Sequence, residues 1–409
     1  AVYAVLDAPD GGLYVGTHQG LYAVRNGKVR ELSRTGEAVI SLSLDEKGGL
    51  WLGTVNRGLQ RYSVEGLETL DTGDGLPNNR VGSLFTDREG NIWAGTNAGL
   101  VRFSDMPFVT VDENRGLNDN YVRALAQLPD GSVMLGTSRG LNRYQGGKVS
   151  PVLGNSSLEN EAVLSLATGR DGGLWIGMYS TGLINWKNGV VREIAPPGSP
   201  LYGTQIRALL EDADGTLWVG TSGGLYRKKG DMLKRFGREQ GLPRDYVMGL
   251  HRAKSGRIWV GTANGLGFIE GDRVGTLDIQ RYEDAEDVFG FSEDADGTLW
   301  IATDRGVLRL RDGRLAAIGA RHGLPISTVF QIVADSYGNF WLTSNRGVVY
   351  VTRADMEAVA DGRMTKLKSV RFSEADGMGS AQCNGAAGPA ALRARDGSIW
   401  VATAKGAAM

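Results

Sequence analysis

The chain has 409 residues, 41% of them hydrophobic, with 45 basic against 46 acidic side chains and a net charge of −1. That core content argues against disorder. The even charge, with no basic stripe, gives nucleic acid no footprint, and no run nears the ~20 apolar residues that span a bilayer. Glycine is the outlier at 61 copies against 11 prolines. No three-residue glycine period marks a collagen, and each interior helical glycine would cost about 0.5–1 kcal/mol, which argues against a helical bundle. The surplus points to turns, and so to many short strands.

Ala1 opens the chain without the basic and apolar regions of an export signal, as expected of a mature or excised chain. From there one register recurs. An aromatic slot falls at Tyr14, Trp51, Trp93, Met134 (the one non-aromatic occupant), Trp175, Trp218, Trp259, Trp300, Trp341 and Trp400, and it holds eight of the nine tryptophans. Most steps are about 41 residues, the scale of a repeat architecture; the last, from 341 to 400, is longer. Each period reads as four strands. An apolar run such as Val122-Arg123-Ala124-Leu125 meets an Asp-Gly turn, as at Asp130-Gly131, where glycine supplies positive φ. A Leu-Trp-Val-Gly-Thr strand follows, then a glycine return into a third strand such as Leu225-Tyr226-Arg227, then a variable fourth such as Met232–Phe236. Four antiparallel strands in about 41 residues match one blade of a β-propeller. Two residues after each first strand's lead aliphatic stands a small side chain: Ala4, Ser41, Ser83, Ala124, Ser165, Ala208, Gly249 and Gly290, with Gln331 the exception. Strands converging on an axis need small residues there. The recurring tryptophan reads as packing between blades rather than a sugar platform.

These residues resemble the two-component regulator propeller repeat. Residues 87–96, Asp-Arg-Glu-Gly-Asn-Ile-Trp-Ala-Gly-Thr, with Gly99-Leu100, carry the match, as do the Gly-Leu-Pro links at 75–77, 241–243 and 323–325, with Gly116-Leu117 a variant. Towards the C-terminus, residues 352–360 read as a short helix after a third strand, followed by Asp376-Gly377-Met378 and Gln382-Cys383-Asn384-Gly385, an order similar to the last blades of such sensors. The resemblance implies the extracytoplasmic sensor region of a bacterial hybrid histidine kinase or diguanylate cyclase, on the periplasmic or extracellular side of the membrane. Its output signalling domain is absent from this chain, and a homodimer is possible. Many members have fourteen blades in two seven-bladed rings, whereas ten repeats are present here. Uniform spacing from Trp93 to Trp341 favours one continuous array over 1–409, a single large ring. The alternative is 1–115 as blades of a first ring and 116–409 as a seven-bladed ring.

Candidate chemistry is sparse. Asp212-Ala-Asp214-Gly215 and Asp294-Ala-Asp296-Gly297 look like calcium loops, but the twelfth position holds Gly223 or Arg305 instead of a bidentate carboxylate. Their carboxylates are expected to cap the hairpin, so no metal is expected. His18, His251 and His322 lack ligand spacing, and Cys383, the single cysteine, has no disulfide partner in the chain. No nucleophile elbow or phosphate loop is present, so neither catalytic residues nor cofactor are assigned.

Loops from fourth to first strand share a face with those from second to third, and ligand binding is expected there. The first set offers Asn79, Arg80, Asp119, Tyr121, Arg123, Arg207, Asp245, Tyr246, Asp287 and Phe289. The second offers Arg57, Arg139, Tyr179, Asp304, Arg305 and Arg346. Arginine, tyrosine and carboxylate together suit a small acidic metabolite, a glycan or a peptide. The leading reading is a non-enzymatic sensing or interaction propeller. A polysaccharide-active lyase or hydrolase and a protein-interaction scaffold remain as alternatives.

Overall fold

The computed structural model describes residues 1–45, 48–63, 66–88, 90–103, 106–152 and 158–409. They are almost entirely β-structure, in ten antiparallel sheets, and they divide into two compact units, Ala1–Met106 and Pro107–Met409.

One blade shows how the sequence builds them all. Strands Ile206–Glu211, Leu217–Thr221, Gly224–Lys229 and Met232–Phe236 lie side by side in chain order. The first hairpin closes where the Asp212 N–H donates to the Thr216 carbonyl at 2.8 Å, and Gly215 takes φ +80°. Asp214 caps this turn by accepting the Thr216 N–H at 3.0 Å. Asp212 does something else: its Oδ2 accepts the Trp218 indole N–H at 2.8 Å. The same clamp joins Trp300 to Asp294 at 2.8 Å, Trp93 to Asp87 at 2.8 Å, Trp51 to Asp45 at 3.1 Å and Trp341 to Asp335 at 3.3 Å. A largely buried indole needs an acceptor, and the aspartate six residues earlier is that acceptor. In the turns of Asp212 and Asp294 the backbone capping expected of both aspartates belongs to the second, while Asp45, Asp87 and Asp335 hold the indole and cap the turn as well.

In Pro107–Met409 seven sheets close into a ring. The first strands Val122–Gln127, Val163–Thr168, Ile206–Glu211, Val247–Arg252, Val288–Glu293, Gln331–Ala334 and Ala391–Arg393 touch in sequence, and the last returns to the first. The seventh sheet takes strands from both ends of the unit: Ala391–Arg393, Ile399–Thr403 and Gly406–Ala408 are completed by Thr110–Val111. Val109 and Met409 exchange backbone bonds of 2.9 and 2.8 Å beside that pairing. Close approach explains the small slot: a Cβ on Gly249 would stand 2.5 Å from the Phe289 carbonyl of the next blade, and the Ser165 hydroxyl donates to the Ile206 carbonyl at 2.8 Å. The long step between Trp341 and Trp400 holds helix Arg353–Ala360, capped by Thr352. It buries Met356 and Val359, while Glu357 pairs with Arg309 at 2.9 Å and Arg311 at 2.6 Å on the preceding blade.

Ala1–Met106 holds three sheets: Val2–Asp7 to Lys28–Ser33, Val39–Leu44 to Gly66–Leu70, and the three-stranded Val81–Thr86, Ile92–Thr96 and Gly99–Phe103. Their first strands touch in a line, Val2–Asp7 against Val39–Leu44 and Val39–Leu44 against Val81–Thr86. Val2 and Val5 of the first sheet are 61% and 58% exposed, and Leu100 of the third 65%.

Candidate functional site

In five blades of the ring the turn after the second strand is tied to the residue before the first. Ser138 N–H donates to the Tyr121 carbonyl at 3.1 Å, Tyr179 to Ala162 at 3.0 Å, Ser222 to Gln205 at 3.2 Å, Ala263 to Tyr246 at 3.0 Å and Asp304 to Asp287 at 3.2 Å. The two loop sets therefore share one face of the ring. On that face every first strand from the blade of Val122 to that of Val288 carries a bulge directly after its lead aliphatic. The side chains so displaced from the ladder are Arg123, Leu164, Arg207, Met248 and Phe289, and a bulge re-aims its residue.

First strands are sheet edges whose outward amides face the ring axis, and such amides need partners. Residues 384–389 supply several. The Pro389 carbonyl accepts from Leu125 N–H at 2.8 Å, the Gly388 carbonyl from Leu166 N–H at 3.3 Å, and Gly388 N–H donates to the Arg207 carbonyl at 3.1 Å. Asn384 donates through its side-chain amide to the Val122 carbonyl. This segment, leaving the seventh blade after buried Cys383, binds the first strands of three successive blades and so bridges the ring as a plug.

Two cavities flank it. One of about 70 Å³ is lined by Arg207, Met248, Phe289 and Gln331 together with 387–389. The other, of about 230 Å³, lies among Tyr121, Arg123, Arg207, Phe330, Asn345, Gln382, Cys383 and plug residues 384–387. Arg123 stacks over the Tyr121 ring at 4.6 Å, and Arg207 over Tyr246 at 4.5 Å. Arg123 Nε donates to the Ser138 hydroxyl at 3.1 Å. Arg207 donates to the Ala386 carbonyl at 2.9 Å and to Gln205 Oε1 at 2.8 Å, leaving its buried Nε without an acceptor. Burial holds the Arg207 guanidinium below its ordinary pKa; the Tyr246 and Tyr179 phenols oppose that shift, and the like charge of Arg123 adds to it.

The structure separates the sequence-selected residues into groups. Tyr121, Arg123, Arg207 and Tyr246 gather at the mouth of the ring, with Phe289 packed edge-on to Phe330 at 5.3 Å. Tyr179, Arg139 and Arg346 stand exposed on the second-to-third turns of the same face. The carboxylates shape loops. Asp119 accepts Tyr121 N–H at 2.8 Å, Asp287 accepts Asn264 N–H at 3.1 Å, and Asp304 accepts Glu286 N–H at 2.9 Å beside Arg305 at 3.4 Å. Asp245 and Asn79 share one duty: each accepts the first N–H of a short 3₁₀ turn seven residues earlier, Arg238 and Thr72, both at 2.9 Å. Arg57 reaches the Thr35 carbonyl at 3.4 Å, and Arg80 is exposed; with Asn79 they belong to Ala1–Met106. Sequence reasoning missed Ser138, Gln205, Phe330 and the plug. The residue directly after each lead aliphatic was the available signal for the bulged set.

Among the described residues no group of three His, Cys, Asp or Glu is placed to hold a metal ion. Burial pushes the Cys383 thiol up to about 12, which leaves it protonated and unreactive at neutral pH. His251 is bound to Glu293 at 3.0 Å and stacked on Phe291, away from the mouth.

Residues 75–98, 203–223 and 283–305 match the sequence model of the family described as two component regulator propeller. Those three segments are similar to that family's repeat. No curated protein matches the sequence. Among solved structures, the extracellular domain of the putative hybrid two component system BT3049 from B. thetaiotaomicron is similar over 100% of this chain and 56% of its own, at 20% identity and TM-score 0.76. The corresponding domain of BT4673 from the same organism is similar over 99% and 57%, at 18% identity and TM-score 0.60. A streptogramin B lyase structure is similar over 74% and 96%, at 15% identity and TM-score 0.55. At such identities the likeness is one of fold, and the chain spans little more than half the length of the first two.

Proposed function

We propose that this chain is the extracytoplasmic, ligand-reading part of a bacterial signal-transduction receptor and that it acts without catalysis. One observation carries the reading. The loop face of Pro107–Met409 gathers two arginines and two tyrosines at a plugged ring mouth, and the cavity lining there holds no histidine or carboxylate to act as general base. The family of the repeat and the extracellular sensor domains of similar fold support the same reading. A ligand seated against the plug would touch the segment that ties the seventh blade to three others, and so favour one receptor arrangement over another.

The uncovered faces of Val2 and Leu100 support a related proposal: residues 1–106 are three blades of a ring whose other blades lie outside this sequence, and 107–409 form a self-contained seven-bladed ring. The fold likeness to a lyase favours a second reading, in which Tyr121 or Tyr179 serves as a base beside an arginine. One experiment separates the two. The 409-residue chain is screened against metabolites and oligosaccharides by thermal shift, with each ligand's mass followed in parallel. A stabilising ligand recovered unchanged is the expected result; a product from any of them overturns the non-enzymatic reading.

A further inference from the structure

The two guanidiniums at the ring mouth face one another without a carboxylate between them. Arg123 and Arg207 line the same cavity, and among the described residues neither makes an ion pair with a carboxylate. Three other arginines of this unit are paired closely: Arg252 with Asp212 at 2.8 Å, Arg309 with Asp361 at 2.6 Å, and Arg353 with Asp294 at 2.7 Å. The charge that reaches Arg207 from Arg123 is repulsive, and Arg207 Nε is buried with no acceptor. Like charges kept together with an unsatisfied donor are costly unless something supplies negative charge.

The cavity also limits what can enter. Its volume of about 230 Å³ is below the ~300–1,000 Å³ of sites for drug-sized ligands, so it suits a body of one ring. Its lining includes two aromatic rings, Tyr121, which stacks with Arg123, and Phe330. The plug residues 384–387 line it too, together with Asn345 and Gln382. Planar guanidiniums pre-oriented by stacking on tyrosine present forked N–H donors that match a carboxylate in two-point contact.

We propose that the mouth of the Pro107–Met409 ring binds a small ring-bearing carboxylate, its acid group held by Arg123 and Arg207 and its ring lodged between Tyr121 and Phe330. The inference rests on the loop face being the ligand-reading face and narrows that reading to one ligand class. The Asn345 and Gln382 amides select for hydroxyls on the ring, so a hexuronate fits better than an aromatic acid.

The test is isothermal titration of the 409-residue chain with galacturonate and glucuronate, set against galactose, glucose, benzoate and inorganic sulfate. A uronate is expected to bind at least tenfold tighter than its neutral sugar, with affinity falling as salt rises. Arg123→Gln, which leaves the Ala386 contact of Arg207 in place, is expected to weaken binding about 10- to 100-fold while the variant still folds, as read by circular dichroism. Arg207→Lys keeps the charge but loses the fork, and is expected to weaken binding while preserving most of the salt dependence. Equal binding of galactose and galacturonate overturns the proposal. So does an unchanged affinity in Arg123→Gln, which would leave the arginines a structural duty towards the plug. A neutral ligand found elsewhere on the loop face would sink this inference and keep the sensing reading, whereas turnover of a bound uronate would sink the sensing reading and keep the site.

Discussion

The same repeat meets two fates in this chain. In Pro107–Met409 the leucine that opens the third strand is sealed in every case where the repeat keeps it: Leu141, Leu183, Leu225 and Leu266 are at most 1% exposed. In Ala1–Met106 Leu21 and Leu59 are equally buried, yet Leu100 is 65% exposed at the identical position. The lead aliphatic of the first strand behaves alike, with Val122, Val163, Val247 and Val288 at 0% and Val2 at 61%. The residues are the same and the hairpins are the same. What differs is whether a blade stands on the other side. A propeller blade is thus stable as a sheet through local turns and clamps, but its flat faces are satisfied only by neighbours, as in other repeat architectures.

Truncating the shared leucine should break the symmetry between the two units most widely. Leu225→Ala empties a filled inter-blade site and is expected to cost about 2–5 kcal/mol. Leu100→Ala removes a side chain already in water and is expected to stay within about 0.5 kcal/mol. Denaturant titration read by hydrogen exchange of peptides from each unit separates the two transitions, which a single melting curve would merge. In a longer chain whose further blades cover Leu100, the second substitution should become as damaging as the first. If it stays silent there, the proposal that 1–106 belong to a larger ring fails.

Closure can be strengthened as well as probed. Thr110 faces Ala408 in the sheet that joins the two ends of the ring. Because Val109 and Met409 exchange the backbone bonds, the Thr110 and Ala408 pair is the non-hydrogen-bonded kind, whose ~4.5 Å Cα spacing suits a disulfide. The double substitution Thr110→Cys with Ala408→Cys, oxidised, is expected to raise the stability of Pro107–Met409 by about 2–4 kcal/mol and leave Ala1–Met106 unchanged. Reductant should abolish the gain. Cys383 does not compete, being buried and held protonated.

Much of the blade was legible in the sequence because its contacts are local. A glycine with positive φ at Gly215 or Gly297, a tryptophan three residues later and a Gly-Leu return all act within one hairpin, so strand order follows from the register. Ring closure was not legible, because it rests on Thr110–Val111, a strand too short for any periodicity, pairing with the far end of the chain. The site shows the same division. Arginines and tyrosines at the strand entry can be picked out by position, but so can Asp245 and Asn79, which cap 3₁₀ turns. Only the seven-residue spacing from Thr72 to Asn79, Glu113 to Asn120 and Arg238 to Asp245 tells the caps apart. The plug lies beyond such reasoning, since its bonds join Leu125 to Pro389 and Arg207 to Ala386.

The smallest expected difference between the units is in acid, and it concerns two aspartates with the same duty. Asp45 and Asp294 each accept an indole N–H from the tryptophan six residues on. Burial alone would raise the pKa of Asp45, but bonds from Arg61, the Gly49 amide and Trp51 outweigh it and hold the carboxyl below its ordinary value of 3.8. Asp294 is raised above that value, because burial outweighs the Trp300 and Arg353 contacts that favour its charged form. The linkage therefore runs in opposite directions. For Asp45 the unfolded chain takes up protons first, so its stabilising contribution is complete above the unfolded pKa and disappears as pH falls through the folded one. For Asp294 the folded chain takes up protons first, so on acidification its contribution improves between the folded and the unfolded pKa. Lowering the pH from 7 towards 3 should thus erode Ala1–Met106 through Asp45 while slightly relieving Pro107–Met409 at Asp294. Carboxyl chemical shifts followed by NMR give each titration directly, and Asp45→Asn and Asp294→Asn should flatten the respective pH dependence of stability. Titration of the two in the reverse order would show that burial and ion pairing are balanced differently in the two clamps.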